Sequence, residues 1–182
     1  FASKSSKLHR KRSKTKAMYT IEDQQLRITI HPKGAELQSI YHKGLQTEYM
    51  WNGDPAFWGK HSPLLFPMVG TLKDNTYFYG DKAFHLSRHG FARDREFAVE
   101  TQSAGAITFL LKSDAASLAV YPFPFELRVS YSISGAALTT TYRVGNPADS
   151  LLYFSIGGHP AFKVPLAPGT TYTDYYLEFE QP

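Results

Sequence analysis

The sequence predicts an all-β protein built from antiparallel strands. The 182 residues include 13 Phe, 12 Tyr and 2 Trp, and aromatic side chains pack well on pleated surfaces. The apolar segments are short, alternate with polar residues, and are separated by turn residues at intervals of about 8–12 positions. None shows helical periodicity over more than one turn. This combination is typical of an antiparallel sandwich or barrel.

The first part of the chain contains the clearest alternation. Leu26, Ile28 and Ile30 alternate with polar residues, as in a half-buried strand. By the same reasoning we predict strands at 18–21, 26–30, 35–41 and 48–51. Residues 56–70 are apolar but irregular, and Pro63 and Pro67 argue against a central strand or a helix there. We expect a packed loop that lines something.

The second part continues the pattern of short strands. We predict a hairpin from 76–79 and 82–86, a strand pair from 97–101 and 106–112, and strands at 125–133, 137–144 and 151–156. One helical turn fits 114–120. Residues 174–180 again have a strand pattern, close to the end of the sequence. Because an edge strand without a partner is an aggregation hazard, we expect a C-terminally truncated sandwich.

The positive charge is concentrated at the N-terminus. Residues 1–17 contain no acid and seven basic residues, namely Lys4, Lys7, Arg10, Lys11, Arg12, Lys14 and Lys16. Removing them from the 20 basic residues leaves 13 against 16 acidic residues, a net charge of −3 for 18–182. The segment fits a binder of nucleic acid or anionic lipid, an address, or an artefactual leader. We favour the leader and assign the folded domain to 18–182.

Composition excludes several chemistries. Cysteine is absent, which removes disulfides, thiolate metal sites and cysteine nucleophiles. No apolar run approaches the roughly 20 residues of a membrane helix. The other histidines lack the spacing of a metal site: His9, His31, His42, His61 and His85. We therefore expect a cytoplasmic protein that uses no metal and no cofactor and has no membrane partner.

Two histidines lie in unusual local contexts. His159 follows an apolar strand and two glycines and precedes Pro160, which disfavours helical angles at His159. His89 lies in a similar context, between Arg88 and Gly90. Histidine is well suited to proton transfer near neutral pH. The motifs suggest acid–base chemistry on a small molecule, although a structural role for either histidine remains an alternative.

Four blocks, in order, resemble the aldose 1-epimerase (mutarotase-like) family. They are residues 30–37, residues 63–70 with Lys73 and Asp74, His89–Arg93 and Gly157–Phe162. The similarity is greatest to a bacterial branch whose members lie near lactose and galactose genes. It extends over 18–182 and implies an antiparallel β-supersandwich in proteins considerably longer than this chain.

The resemblance implies interconversion of the α and β anomers of an aldose through acid–base ring opening. It assigns His159 as the general acid and His89 as a sugar-binding partner near the ring oxygen. It further suggests Arg88, Lys73 and Phe162 as substrate-binding residues. The general base of the family is a glutamate in the last third of the fold, which corresponds to no residue of this chain.

The sequence departs from the family at Thr71, where many relatives carry an arginine. Lys73 is the nearest cation, but a lysine does not replace the planar fork of arginine, and a solvated turn explains it equally. Arg88, Arg93 and Arg95 flank His89 and could bind a sugar phosphate or pair with Asp94 and Glu96 at the surface. Trp51 or Trp58 could stack on a sugar or fill the core. Alternatives to the epimerase are therefore a sugar-phosphate epimerase, a non-catalytic sugar-binding or regulatory protein, and nucleic-acid binding through 1–17.

Overall fold

The computed structural model describes residues 18–180. Its strands are β1 (Tyr19–Glu22), β2 (Leu26–His31), β3 (Glu36–His42), β4 (Thr47–Glu48), β5 (Leu64–Leu65), β6 (Thr76–Tyr79), β7 (Lys82–His85), β8 (Ala98–Gln102), β9 (Ala106–Lys112), β10 (Glu126–Ser134), β11 (Ala137–Gly145) and β12 (Gly157–Gly158). One helix, α1 (Ala115–Val120), and 3₁₀ turns at Lys73–Asn75, Ala92–Asp94 and Tyr172–Asp174 complete the secondary structure.

Two four-stranded antiparallel sheets form the body of the structure. The first has the order β1-β2-β3-β4 and the second the order β11-β10-β9-β8. A hairpin of β6 and β7 and a short pair of β5 with β12 lie outside these sheets. The predicted all-β antiparallel fold is confirmed.

The core follows from the alternation of the strands. In β2 the apolar residues Leu26, Ile28 and Ile30 are buried, and β9 and β10 repeat the pattern with Phe109 and Val129 among their buried residues. The buried residues of both sheets form one hydrophobic cluster. Apolar burial of this kind contributes about 25 cal/mol per Å² and supplies the main driving force for folding.

Two hydrogen bonds join the sheets at their ends. The Tyr131 hydroxyl on β10 donates to the Ala35 carbonyl, at 2.8 Å, in the turn between β2 and β3. The Glu22 amide at the end of β1 donates to the Ala104 carbonyl, at 2.8 Å, in the turn between β8 and β9. Burial raises the pKa of Tyr131 far above its ordinary value, so this hydroxyl keeps its proton.

The helical turn predicted near 114–120 is confirmed, and its start is capped. The Asp114 carboxylate accepts from the Ser117 amide at 2.8 Å, while the Ser117 hydroxyl accepts from the Asp114 amide. This reciprocal pair satisfies N–H groups that have no partner within a helix. Among residues 18–180, no helix is long and apolar enough to cross a membrane.

Three strand predictions were wrong. Residues 151–156 are irregular, and pairing begins only at β12. Residues 174–180 form no strand, and the segment predicted at 48–51 is reduced to β4 and a bridge at Met50. Apolar and aromatic residues are present in all three, but a strand also needs a neighbour along its edge, which local sequence does not encode. The prediction for residues 1–17 lies outside the described part of the chain.

We predict that Tyr131→Phe lowers the free energy of unfolding by about 1–2 kcal/mol, because the buried Ala35 carbonyl loses its donor. Urea unfolding followed by fluorescence measures this. Tyr142→Phe on the neighbouring strand is the matched control, since Tyr142 is 36% exposed. Equal losses in the two variants would contradict the assigned role of the Tyr131 hydroxyl.

Candidate active site

A buried strip of chain, Pro63–Phe66, lies between the two histidine segments. On one side Leu65 and Leu64 pair with Gly157 and Gly158, and the His159 amide donates to the Pro63 carbonyl at 3.2 Å. On the other side Phe66 forms a parallel bridge with Gly90, and its amide donates to the His89 carbonyl at 3.3 Å. The strip thus fixes the backbone of both histidines, and the packed loop predicted over 56–70 contains this short strand.

The imidazoles of His89 and His159 lie close enough together to interact electrostatically. The pKa of His89 is lowered, first by desolvation and then by the charges of Arg88, Arg93 and His159. The two histidines are 70 positions apart in the sequence. Their proximity was expected only from the family resemblance.

The backbone at His89 differs from the setting predicted by analogy with His159. His89 has a φ of +67° and Gly90 a φ of +71°, so both lie in the left-handed region that most side chains avoid. A Cβ atom at Gly90 would lie 2.3 Å from the Phe66 carbonyl oxygen. The glycine therefore allows the turn that presents His89 beside the strip.

Two N–H groups point at the ring nitrogens of His89. The Gly70 amide donates to Nδ1 at 3.0 Å, and Arg88 Nε lies 3.1 Å from Nε2. A neutral imidazole has one ring proton, so it accepts at only one of its nitrogens. The Gly70 amide belongs to a reciprocal pair, since the His89 amide also donates to the Gly70 carbonyl at 2.8 Å. The side chain of Arg88, in contrast, is exposed to solvent and is not part of such a pair.

The fixed amide therefore selects the tautomer. With Nδ1 accepting from Gly70, the ring proton belongs on Nε2, and His89 is a neutral hydrogen-bond donor. Protonation would place an N–H on Nδ1 directly against the Gly70 N–H. This repulsion acts in the same direction as the desolvation and the neighbouring cations that lower the pKa of His89.

His159 lies on the exposed side of the strip and packs against Trp58. The ring centroids are 5.0 Å apart with an interplanar angle of 40°. Trp58 is held in turn by the Trp51 indole, whose Nε1 donates to the Trp58 carbonyl at 2.8 Å. Trp58 is half-buried, so the structure places it beside the proposed acid rather than in the core.

The remaining predicted binding residues are dispersed. Arg88 contacts His89, whereas Lys73 lies in an exposed 3₁₀ turn. Phe162 lies three positions after His159 in an extended segment and lines a cavity with residues of β3 and β11. Among the described residues, the hydrogen bonds and ring contacts of the two histidines include neither Lys73 nor Phe162.

The arginines near His89 have different partners. Arg93 donates to the Arg88 carbonyl at 2.7 Å and lies 3.6 Å from Asp94, and Arg95 pairs with Asp114. Asp94, suggested by the sequence as a surface partner, therefore accounts for Arg93. Arg88 is the one of these three cations whose side chain reaches the imidazole of His89.

Sequence reasoning missed two parts of the site. One is the Gly70 amide, for which a backbone group leaves no sequence signal. The other is Glu36, a carboxylate only 8% exposed, whose signal was a charged residue between Ala35 and Leu37 in an apolar stretch. No group of three or more potential metal ligands occurs in residues 18–180.

The fold and site define a β-sandwich of the galactose mutarotase type, and comparison with known proteins agrees. The family model for aldose 1-epimerase matches residues 17–181. This chain belongs to the aldose 1-epimerase family.

Individual relatives give the same result. Over 168 residues the chain is 37% identical to the chromosomal protein LacX of Lactococcus lactis subsp. lactis, covering 88% of this chain and 56% of that protein. The structure of a galactose mutarotase related enzyme from Lactobacillus acidophilus superposes with a TM-score of 0.83 at 42% identity, covering 85% of this chain and 52% of that one.

A galactose mutarotase-like protein from Lactobacillus casei ATCC 334 gives a TM-score of 0.79 at 39% identity, covering 84% of this chain and 52% of that one. The chain thus spans about half the length of the relatives it matches.

We predict that His89 titrates below its ordinary pKa and that Arg88→Ala raises this pKa. The removed cation had opposed protonation, so its loss favours the charged imidazole. Two-dimensional NMR of ¹⁵N-labelled histidine measures the pKa and shows which nitrogen carries the proton. A neutral His89 protonated on Nδ1 would contradict the role of the Gly70 amide.

We also predict that Gly90→Ala destabilises the fold by more than Gly80→Ala. Both glycines have positive φ, at +71° and +58°, but a Cβ at Gly80 meets nothing within 4 Å. The left-handed backbone alone costs about 1–2 kcal/mol, and Gly90 adds the collision with Phe66. Urea unfolding compares the two, and equal losses would show that the close approach at Gly90 is unimportant.

Proposed function

We propose that this chain carries the histidine half of an aldose 1-epimerase, which interconverts the α and β anomers of an aldose. The observation that supports this most is the pair of histidines on either side of one buried strip. One is fixed as a neutral donor by the Gly70 amide, and the other is exposed and free to exchange protons with solvent.

In the proposed reaction, protonated His159 donates its proton to the ring oxygen of the sugar. A base takes the proton of the anomeric hydroxyl, the bond from the anomeric carbon to the ring oxygen breaks, and a carbonyl forms at that carbon. Rotation about the adjacent carbon–carbon bond presents the other face. Ring closure reverses the proton transfers, so the reaction consumes no co-reactant.

The two histidines have different tasks in this scheme. An acid must gain and lose a proton in each cycle, which suits the exposed imidazole of His159. His89 has a lowered pKa and an Nδ1 that accepts from Gly70. It is suited to donating a hydrogen bond from Nε2 to a sugar oxygen without changing its charge.

The general base is proposed from the family resemblance, which assigns it to a glutamate in the later part of the fold. No carboxylate is among the groups that shift the pKa of His89. We therefore expect the 182-residue chain alone not to accelerate anomer exchange. We further propose galactose metabolism as the role, with epimerisation of a sugar phosphate as the alternative, and the cytoplasm as the place of action.

A second candidate function is sugar binding without turnover. The observation that favours it is Thr71, which provides no cation where many relatives carry arginine. Arg88 would then serve binding through the same groove. Sugar binding by the extended protein described below, without anomer exchange, would support this function.

We predict that extending the chain with the second half of the Lactobacillus acidophilus relative yields a protein that accelerates mutarotation. His159→Ala in this protein should reduce the rate by about 10²–10⁴-fold, the usual contribution of a general acid. NMR or polarimetry of freshly dissolved α-galactose and α-glucose measures the rate.

His85→Ala is the control, since His85 is an exposed histidine on β7 and its loss should leave the rate unchanged. The extended protein is first checked for a cooperative thermal transition. A folded protein without mutarotation, or one whose activity survives His159→Ala, would contradict the proposed function.

A further inference from the structure

We propose that Glu36 is a positioning residue for His159, a role that rests on the proposed function only in calling His159 the acid. Glu36 begins β3 and is 8% exposed. Apart from tyrosines, the buried residues with polar side chains in residues 18–180 are Glu36 and Ser117. A buried carboxylate is costly unless its oxygens are hydrogen-bonded.

The carboxylate binds the backbone of the segment that precedes the buried strip. Glu36 Oε1 accepts from the His61 amide at 2.9 Å and from the Ser62 amide at 3.1 Å. These bonds join positions 25 and 26 residues apart in the sequence. One side-chain oxygen thus holds two consecutive backbone amides, so this contact fixes where the strip begins.

The same segment holds the His159 backbone on its opposite side. The Ala161 amide donates to the His61 carbonyl at 2.8 Å, and the His159 amide donates to the Pro63 carbonyl at 3.2 Å. In a regular antiparallel pair the His61 amide would donate back to the Ala161 carbonyl. That carbonyl instead accepts from the Trp51 amide at 2.9 Å. The His61 amide therefore has no acceptor on the paired strand, and Glu36 provides one.

Glu36 also determines the position of Trp58. The loop that carries Trp58 begins at Trp51, whose amide is bound to Ala161, and ends at His61, whose amide is bound to Glu36. Both loop ends are also hydrogen-bonded to Ala161 in the His159 segment, Trp51 through its amide and His61 through its carbonyl. Without Glu36 the His61 amide loses its acceptor and this loop end is held through the His61 carbonyl, which loosens the packing of the Trp58 ring on the imidazole.

The length of the Glu36 side chain, rather than its charge, determines whether it holds these two amides. Glu36→Gln removes the charge but keeps an oxygen at the same distance, able to accept both amides. Glu36→Asp keeps the charge but is one methylene shorter, so its carboxylate no longer reaches them. A positioning role predicts that Gln is tolerated and Asp is not, whereas a role for the charge predicts the opposite order.

The test uses the fluorescence of Trp58, which requires no turnover. Protonated imidazole quenches a contacting indole, so we expect fluorescence to fall as the pH is lowered from about 8 to about 5, the range of histidine. His159→Ala defines the part of the change that depends on this contact. We expect Glu36→Asp to lose most of that part and Glu36→Gln to keep most of it.

Asp114→Ala is the matched control for stability. It also removes a carboxylate that accepts from a backbone amide, but at the start of α1, and it should leave the quenching unchanged. Each variant is measured at a urea concentration where circular dichroism shows it folded. Quenching retained in Glu36→Asp, or lost in Glu36→Gln, would overturn the inference.

The kinetic counterpart uses the extended protein. Glu36→Asp should lower kcat by on the order of tenfold to a hundredfold, since misplacement of a catalytic group by about 1 Å can have such an effect. KM should change little, and Glu36→Gln should restore kcat. If the extended protein has no activity, the proposed function fails while the fluorescence result still decides the role of Glu36.

Discussion

The organisation of the site depends on the buried strip Pro63–Phe66. It is too short to be a strand of either main sheet, yet it pairs with the His159 segment along one edge and with the His89 turn along the other. Its side chains supply the stability: Phe66 is fully buried and packs edge-on against Phe125 with ring centroids 5.1 Å apart. The geometry of two polar residues is thus fixed by an apolar anchor between them, which holds the imidazoles in place without burying them.

Backbone amides then give chemically different surroundings to two residues of the same type. Nδ1 of His89 faces the Gly70 amide, which acts as a permanent donor and disfavours the imidazolium form. His159 has its backbone amide bound and its ring against Trp58, an aromatic face that tolerates a neutral or a charged imidazole. The two imidazoles therefore differ because of their neighbouring groups rather than because of residue type.

The sequence predicts those strands whose burial follows from the alternation of their own residues. The alternation at 26–30, 106–112 and 125–133 specifies which side chains are buried, and these segments are strands in the structure. The left-handed His89 was not predictable, because a histidine carries no signal for positive φ and the turn depends on Phe66 and Gly70. The role of Glu36 depends on amides 25 and 26 residues away. Whether residues 151–156 form a strand depends on whether another strand lies beside them to pair with. Proximity of His89 to His159 came from the family resemblance, not from spacing.

The support of the His159 segment is asymmetric, and this explains why the Glu36 side matters. Toward β11 the segment meets a cavity of about 430 Å³ lined by Tyr142, Pro160 and Phe162 among others. At Gly158 the backbone approaches β11 closely, since a Cβ there would lie 2.9 Å from the Tyr142 hydroxyl oxygen. A segment with a cavity on one face is positioned by the hydrogen bonds on its other edges. Those bonds lead through His61 and Pro63 to the strip and to the Glu36 side chain, so the proposed positioning of His159 depends on the reach of Glu36 in β3 rather than on packing against β11.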